Sequence, residues 1–464
     1  MQSHKIINWY FSTESKSIGG DLMRQKEVEQ YALDNLDNVT DYLRIPSISA
    51  QNKGINETNE WIMKQFKDLG AAKVEKWTDQ GGNPVVFAEF NGKSDKTVLF
   101  YNHYDVQPPE PLNEWKTKPF EPTVVGDKLV ARGVCDDKGE LMSRLTVVKY
   151  FNEHGGIPVN LKFFVEGEEE IGSPDVDKYV RAHADQLQAD VCIWEGGGKD
   201  ESENFQIVCG AKGIASFNLH VKTAAADLHS SLASYADNAA WRLVQALASL
   251  RTPDNRVAVD GFYDDIEKLT PSEEKATQSM AFDADKVRAN YGLTRPFVYN
   301  DPREELVNGA TMTINGLNAG YTGDGVKTII PKEASAKLDC RLAPNQDPQK
   351  TASLISKQLE KNGYGDVKLD YYLGEDAFRS DLDHPFVRLN KKVADEVYTY
   401  EKVRLIPNMP GGGPMKQFAD SVHAPIVMVG IHYSGSHPHS PNENIRLADY
   451  KQGTYFLARL LEEY

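Results

Sequence analysis

Short apolar runs that alternate with amphipathic stretches dominate the first half of the sequence. The runs PVVFAEF, TVLFYNH, VNLKFFV and DVCIW have the length of buried strands, and stretches such as KGELMSRLTVVKYF separate them with a helical pattern. Strands that alternate with helices are typical of a mostly parallel, buried sheet. The pattern therefore predicts an α/β domain.

The pattern changes at about residue 214. IASFNLHVKT alternates like a half-solvated strand, and the elements that follow have the order β-α-β-β-α-β, with a long polar insertion over about 251–308. This order predicts a ferredoxin-like α+β insert. The α/β pattern returns after residue 380. We therefore predict an α/β domain in two parts, 1–213 (with an N-terminal extension over 1–23) and 381–464, interrupted by a second domain over 214–380.

Composition excludes several classes of function. The net charge of −16 argues against a nucleic-acid partner. The sequence contains no run of 18 apolar residues, the length that would predict a membrane span. The first 23 residues lack the basic and apolar regions of a signal peptide. The four cysteines form no CxxC pair, which favours reduced, buried thiols. We expect a cytoplasmic protein that binds neither nucleic acid nor membranes.

Acidic residues and histidines follow the predicted strands. TVLFYN leads into His103 and Asp105, and DVCIW leads into Glu195. LKFFV leads into the acidic run EGEEEIGS, and APIVMVGI leads into HYSGSHPHSPNE. The segment CDDKGE adds Asp136 at a helix start. Because the carboxyl ends of strands border the crevice of an open α/β sheet, we expect these groups to lie together.

The chemistry that this set of side chains supports is two-metal hydrolysis. Mixed imidazole and carboxylate ligands suit Zn²⁺ or Mn²⁺. A pair of ions needs a bridging carboxylate, and a further carboxylate must remain available as a base. The residues alone do not decide which glutamates of EGEEE, or which histidine of HPH, take these roles.

The motifs HYD, GVCDDKG, EEIGS and HSPNE, in this order, resemble the aminoacylase/carboxypeptidase/dipeptidase family of co-catalytic two-metal metallopeptidases. The likeness is greatest to its cytosolic carnosinase-like dipeptidase branch and covers nearly the whole chain. The resemblance implies a catalytic domain that binds two divalent ions, Zn or Mn. It also implies that the insert is a lid and dimerisation domain, so that the protein is a homodimer.

The resemblance implies a role for each member of the polar cluster. The implied ligands are His103, Asp136 and Glu195 for one metal, and Asp136, Glu170 and His439 for the other. Asp136 would then bridge the two metals, Asp105 would orient His103, and Glu169 would act as general base and acid. The family pattern also implies a cis peptide bond between Asp136 and Asp137.

The resemblance places the substrate-binding residues mainly in the insert. His229, in ADLHSSLAS, would reach the active site of the partner subunit and polarise the scissile carbonyl. Arg341 would bind a substrate carboxylate, and Thr328 is a further candidate. The backbone N–H groups of Gly412 and Gly413, in PGGGP, would bind a terminal carboxylate.

Some residues depart from the dipeptidase pattern. Val134 and Cys135 replace small hydroxyl residues, Glu195 stands where aspartate is frequent, and Gly413 replaces a serine. We predict a dipeptidase acting on short peptides, and the alternatives are an N-acyl amino acid deacylase or a carboxypeptidase with the same metal chemistry. Outside enzymes, the alternative is a non-catalytic peptide-binding protein. The physiological metal and the preferred side chains stay open.

Overall fold

The computed structural model describes residues 23–464, which divide into two compact units. The first unit comprises residues 23–208, 381–405 and 417–464, and the second comprises 209–380 and 406–416. Segments 209–213 and 406–416 thus belong to the second unit, although they were expected in the α/β domain. The predicted extension over 1–23 lies outside the described residues, apart from residue 23.

The helices and strands are numbered along the chain. The helices are α1 (23–34), α2 (Leu36–Leu43), α3 (Ile55–Asp68), α4 (Lys138–Glu153), α5 (Val176–Ala182), α6 (Ala184–Leu187), α7 (Ala239–Ser249), α8 (Pro271–Ser279), α9 (Ala284–Asn290), α10 (Arg303–Asn308), α11 (Pro348–Lys361), α12 (Pro385–Val397), α13 (Met415–Val422) and α14 (Leu447–Glu463). The strands are β1 (Lys73–Trp77), β2 (Val85–Phe90), β3 (Ser94–His103), β4 (Thr123–Val125), β5 (Lys128–Val130), β6 (Val159–Glu166), β7 (Val191–Trp194), β8 (Gly198–Lys199), β9 (Phe205–Val208), β10 (Gly210–Ala211), β11 (Gly213–Lys222), β12 (Leu228–His229), β13 (Thr311–Ala319), β14 (Ile329–Ile330), β15 (Glu333–Leu342), β16 (Lys368–Glu375), β17 (Phe378–Arg379), β18 (Val403–Ile406), β19 (Ile426–Met428), β20 (His432–Tyr433) and β21 (Asn444–Arg446). Within this described part of the chain, no helix combines the length and the apolar composition that a membrane span requires.

The first unit is built on a ten-stranded sheet. Its strand order is β1-β2-β6-β3-β7-β19-β9-β8-β20, and β18 pairs with β9. The four neighbouring strands β6, β3, β7 and β19 are parallel, whereas β1, β2 and β9 pair in the antiparallel sense. The last six residues of β3 are all buried, as expected for a parallel strand covered on both faces. The predicted α/β fold with a mostly parallel central sheet is confirmed.

Helix α4 lies at the centre of the first unit. It packs against β3, α2 and α14, and most of its residues are buried, including charged ones. Its apolar side chains therefore do not form a single stripe. The helix begins directly after Asp137, so its first turn lies beside one of the predicted ligand segments.

The second unit contains a four-stranded antiparallel sheet of order β13-β15-β11-β16. Helices α7 and α11 pack on one face of this sheet, where alternate residues such as Phe217 and Leu219 are buried. Alternate residues of the other face, such as His220 and Lys222, are exposed. The elements follow the predicted β-α-β-β-α-β order, and the polar insertion over 251–308 contains the short helices α8, α9 and α10.

Candidate metal centre

The parallel strands of the first unit end at one edge of the sheet, and the predicted ligands follow their ends. His103 is the last residue of β3 and is paired with Glu166 at the end of β6. Glu169 and Glu170 follow in a short 3₁₀ turn, and Glu195 comes directly after β7. Because the three strands are neighbours in the sheet, these side chains meet at its edge.

Asp136 lies between the two histidines of the cluster. Its Oδ1 is 2.9 Å from Nε2 of His103, and its Oδ2 is 3.0 Å from Nε2 of His439. Nε2 of His103 is also 3.4 Å from Oε2 of Glu195, and Nε2 of His439 is 3.1 Å from Oε2 of Glu170. One carboxylate therefore presents a separate oxygen to each of two ligand groups. The Asp136–Asp137 peptide bond is cis, as the family pattern implied.

Asp105 contacts Nδ1 of His103, on the side of the ring that faces away from Asp136. Nδ1 of His103 lies 2.9 Å from the backbone oxygen of Asp105 and 3.4 Å from its Oδ1. Oδ2 of Asp105 accepts a hydrogen bond from the backbone N–H of Glu170, at 3.1 Å. These contacts favour the tautomer of His103 that carries its proton on Nδ1. In this tautomer the lone pair of Nε2 points towards Asp136 and Glu195 and is available to a metal ion.

Arg144, on α4, ties together two strand ends that carry ligands. The side chain is buried, and its guanidinium donates to the backbone oxygens of Tyr101 and Trp194, both at 2.6 Å, and to Oδ1 of Asn102 at 2.7 Å. These acceptors lie just before His103 and Glu195. The arginine therefore fixes the distance between the strand ends that carry these two ligands.

Glu443 supports the loop that carries Asp136. Its carboxylate pairs with Arg132 at 2.7 Å, and the pair is almost completely buried. It also accepts the backbone N–H groups of Gly133, Cys135 and Asp136, at 2.9, 3.0 and 3.2 Å. Such a set of charge-assisted bonds fixes the backbone of the loop, and hence the direction of the bridging carboxylate.

The carboxylates create a potential that favours positive charge between them. Hydrogen bonds to Asp136 and Glu170 raise the pKa of His439 to about 10. Burial lowers the pKa of His103, but the carboxylates around it, led by Glu195, outweigh burial and hold this pKa well above its ordinary value. Burial likewise raises the pKa of Asp136, but hydrogen bonds to the two histidines outweigh it and keep the pKa low.

Glu169 lies among these groups without belonging to either ligand set. Burial raises the pKa of its carboxyl to about 8, and the charges of Asp136 and Glu170 act in the same direction. A carboxylate that is raised in pKa and lies beside the ligands has the properties of a proton acceptor.

The donor set fits a pair of divalent cations. Ligand atoms of Asp136, Glu170 and His439 lie within 4.8 Å of one another, and so do those of His103, Asp137 and Glu195. Oε2 of Glu195 and Oδ1 of Asp137 are buried without a hydrogen-bond partner in the described chain. Buried carboxylate oxygens require a partner, and a cation supplies one. The donors are carboxylate oxygens and imidazole nitrogens, which suit Zn²⁺ or Mn²⁺.

Three residues near the site were not assigned a role from the sequence. The sequence pointed to Asp137 only as a neighbour of Asp136 in CDDKGE, joined to it by the expected cis peptide bond, yet the Asp137 carboxylate lies with His103 and Glu195. Glu443 ends the quoted motif HSPNE, so a signal for it was present. Arg144 carries no sequence signal, because an arginine in a helical pattern ordinarily indicates a solvated face.

The second unit brings His229 and Thr328 together. Leu228–His229 pairs with Ile329–Ile330, and Thr328 accepts the backbone N–H of Ser230 at 3.1 Å. Nδ1 of His229 accepts the N–H of Ser231 at 3.2 Å, so His229 also caps the turn that follows it. The proton of the neutral ring then lies on Nε2, which is a donor. His229 and Thr328 are both exposed.

Arg341 and the PGGGP loop also lie together in the second unit. A Cβ placed on Gly412 would be 3.3 Å from Nη1 of Arg341 and 3.3 Å from the backbone oxygen of Lys212. The open side of Gly412 thus faces the guanidinium. The backbone N–H of Gly413 donates to a side chain that was not predicted, that of Glu375.

The family model described as peptidase family M20/M25/M40 matches residues 99–463, which contain every ligand described above. The chain belongs to this peptidase family. It is accordingly a metallopeptidase that hydrolyses peptide bonds, and the predicted family and enzyme class are confirmed.

Relatives of this M20 peptidase match over most of its length. The Cys-Gly metallodipeptidase dug1 of Schizosaccharomyces pombe is 28% identical over 90% of this chain and 93% of its own. The human Beta-Ala-His dipeptidase is 27% identical over 85% of this chain and 80% of its own. Among solved structures, the M20 family metallo-carboxypeptidase Sso-CP2 of Sulfolobus solfataricus superimposes with a TM-score of 0.86 and 36% identity, covering 92% of this chain and 98% of its own.

Proposed function

We propose that this M20 peptidase is a dipeptidase that uses two divalent ions, Zn or Mn. The observation that carries the proposal is the position of Asp136, which presents one oxygen to the group of His103 and Glu195 and the other to the group of Glu170 and His439. The names of the dug1 and Beta-Ala-His dipeptidase relatives support a dipeptide substrate.

The residues of the first unit divide the work between binding and proton transfer. When bound, a pair of dications polarises the amide carbonyl and acidifies a water molecule. Glu169 accepts the proton of the attacking water and then donates it to the leaving amine nitrogen. Asp105 keeps the Nδ1–H of His103 in place throughout. His439, whose side chain is 55% exposed, leaves one side of the site open to substrate.

The residues of the second unit contact the substrate. The Nε2–H of His229 donates to the carbonyl oxygen as negative charge develops on it. Arg341 binds the terminal carboxylate, and Thr328, Gly412 and Gly413 complete the pocket. We further propose that the protein is a homodimer in which His229 acts on the active site of the partner subunit. An inactive Glu169→Ala chain mixed with an inactive His229→Ala chain should then recover activity, and verified heterodimers without recovery would contradict this arrangement.

A carboxypeptidase is the second candidate. The observation that favours it is the likeness to Sso-CP2, at 36% identity over 92% of this chain. The two activities require the same metal chemistry and differ in how much peptide lies on the amino side of the scissile bond.

A matched substrate panel distinguishes the dipeptidase, the carboxypeptidase and the deacylase from one another. Ala-Leu, Ala-Ala-Leu and N-acetyl-Leu share one C-terminal residue, so kcat/KM values compare only the amino side. A dipeptidase should cleave Ala-Leu at least about tenfold better than the other two, and a chelator should abolish turnover. Faster release of leucine from Ala-Ala-Leu would replace the dipeptidase with the carboxypeptidase. Tight binding of all three without turnover, in added Mn²⁺ or Zn²⁺, would indicate a non-catalytic binding protein.

The location remains a separate proposal. All four cysteines are buried and free of disulfide bonds. Reduced cysteines are typical of proteins in the cytoplasm, so we propose a cytoplasmic enzyme. Fractionation of cells that express the protein checks this directly.

A further inference from the structure

A carboxylate lies in the pocket where we expect the terminal carboxylate of the substrate. Glu375 is the last residue of β16, and Arg341 lies near the end of β15. Ile214, on the strand between them, is paired with both residues. Directly paired residues point to the same side of a sheet, so Arg341, Ile214 and Glu375 share one face. It is the face opposite helices α7 and α11.

Both charged groups converge on the PGGGP loop. A Cβ on Gly412 would lie 3.0 Å from Oε2 of Glu375 and 3.3 Å from Nη1 of Arg341. The backbone N–H of Gly413 donates to the Glu375 carboxylate. The Gly413 N–H, which we assigned to the terminal carboxylate of the substrate, is thus already hydrogen-bonded to Glu375.

Glu375 changes the charge that a substrate encounters here. Burial raises the pKa of its carboxyl, while the Arg341 guanidinium and the Gly413 N–H oppose this rise. A pocket with Arg341 alone would favour any substrate with a free carboxylate. With Glu375 beside it, the pocket presents a positive and a negative group on neighbouring strands.

We propose that Glu375 determines the substrate specificity of the enzyme. Arg341 binds the α-carboxylate of the C-terminal residue, and Glu375 binds a cationic side chain on that same residue. The enzyme therefore prefers dipeptides that end in lysine or arginine and discriminates against those that end in glutamate or aspartate. This inference rests on the proposed dipeptidase function.

The test compares Ala-Lys, Ala-Gln and Ala-Glu in the metal-loaded wild type and in Glu375→Gln. Glutamine keeps an oxygen that can accept the Gly413 N–H, so the loop retains its hydrogen bond while the charge is lost. Unit charges in contact at about 4 Å change affinity about fivefold in bulk water and much more at lower effective dielectric constants, so each unit of charge should change affinity at least about tenfold in this partly buried pocket. Ala-Lys and Ala-Glu differ by two units, so their ratio of kcat/KM should fall about 100-fold in the variant. The change should lie mainly in KM.

Asp370→Asn is the matched control. Asp370 is exposed, belongs to the same strand and lies on the same open face, since it is paired with Asn218, but it is five residues from Glu375. Removing its charge should leave the Ala-Lys to Ala-Glu ratio within about twofold of the wild type.

Three results would overturn the inference. An unchanged ratio in Glu375→Gln, or an equal loss for all three peptides, would show that Glu375 only supports the loop. A wild type that cleaves Ala-Gln without preferring Ala-Lys to Ala-Glu would overturn this inference and leave the dipeptidase function intact. A wild type that cleaves no dipeptide would refute the proposed function and the inference together.

Discussion

Helix α4 of the first unit buries Lys138, Glu140 and Arg144, whereas helix α7 of the second unit buries only alanine and leucine side chains. The main apolar cluster of the second unit contains no charged side chain, and the buried charges of Glu273 and Arg379 pair with each other. Its candidates His229 and Thr328 are exposed. The first unit instead places carboxylates and imidazoles inside its core. Buried charge must be compensated. The comparison implies that the first unit depends on bound cations for stability and chemistry, while the second unit is stable without them and supplies contacts to the substrate.

The largest effect is expected from Glu169→Gln in the first unit. Loss of the proton acceptor should lower kcat by about 10²–10⁴-fold. Because Glu169 belongs to neither ligand group, elemental analysis should still find two metal ions per chain. Glu168→Gln is the control, since Glu168 accepts the backbone N–H of Asn83 at 2.9 Å instead of facing the cluster. Undiminished turnover in Glu169→Gln would refute the assignment.

The α/β fold of the first unit could be predicted from the sequence, and physical constraints connect this fold to the candidate site. Apolar runs mark the buried parallel strands, and ligands such as His103 and Glu195 must follow the ends of those runs. In the second unit, the position of a candidate residue depends on the pairing of distant strands, which the sequence alone does not reveal. Glu375 ends an ordinary half-exposed strand, and only the pairing of β16 with β11 places it near Arg341. Local breaks, such as the turn at Asn35 between α1 and α2, likewise have no clear sequence signal.

A somewhat smaller effect on turnover is expected from His229→Ala in the second unit. Loss of one donor to the developing oxyanion lowers kcat by about 10²–10³-fold in comparable sites. Since His229 is exposed, thermal stability and metal content should match those of the wild type. His220→Ala, which removes another exposed histidine of the same unit, should keep full activity. Loss of metal from His229→Ala would place this residue in the metal centre and contradict the division of roles.

Removal of the metal should distinguish the two units by stability. A ligand present at 100 to 1,000 times its Kd stabilises the folded state by about 3–4 kcal/mol. Chelation should therefore increase hydrogen exchange in β3, β6 and α4 of the first unit, while β11 and β15 of the second unit keep their protection. Equal changes in both units, measured by mass spectrometry of peptide fragments, would show that the first unit has no special dependence on cations.

The smallest effect is a dependence of stability on pH in the chelated protein. Burial raises the pKa of Glu140 to about 8 and that of Glu166 to about 7. The folded state then holds protons that the unfolded state releases above its ordinary pKa of about 4.5. The contribution of these two carboxyls to the free energy of unfolding should therefore be complete below about pH 4.5 and decrease as the pH rises towards 7, by about 2 kcal/mol for each group. After correction for the intrinsic pH dependence of amide exchange, protection in the second unit should stay level. Protection in the first unit that increases with pH would contradict the prediction.

The most direct test is anomalous X-ray scattering from crystals grown with Mn²⁺. The account predicts two peaks on either side of the Asp136 carboxylate, one bounded by His103 and Glu195 and the other by Glu170 and His439. A crystal with no peak at this edge of the sheet, or with peaks held by other residues, would contradict the central claim.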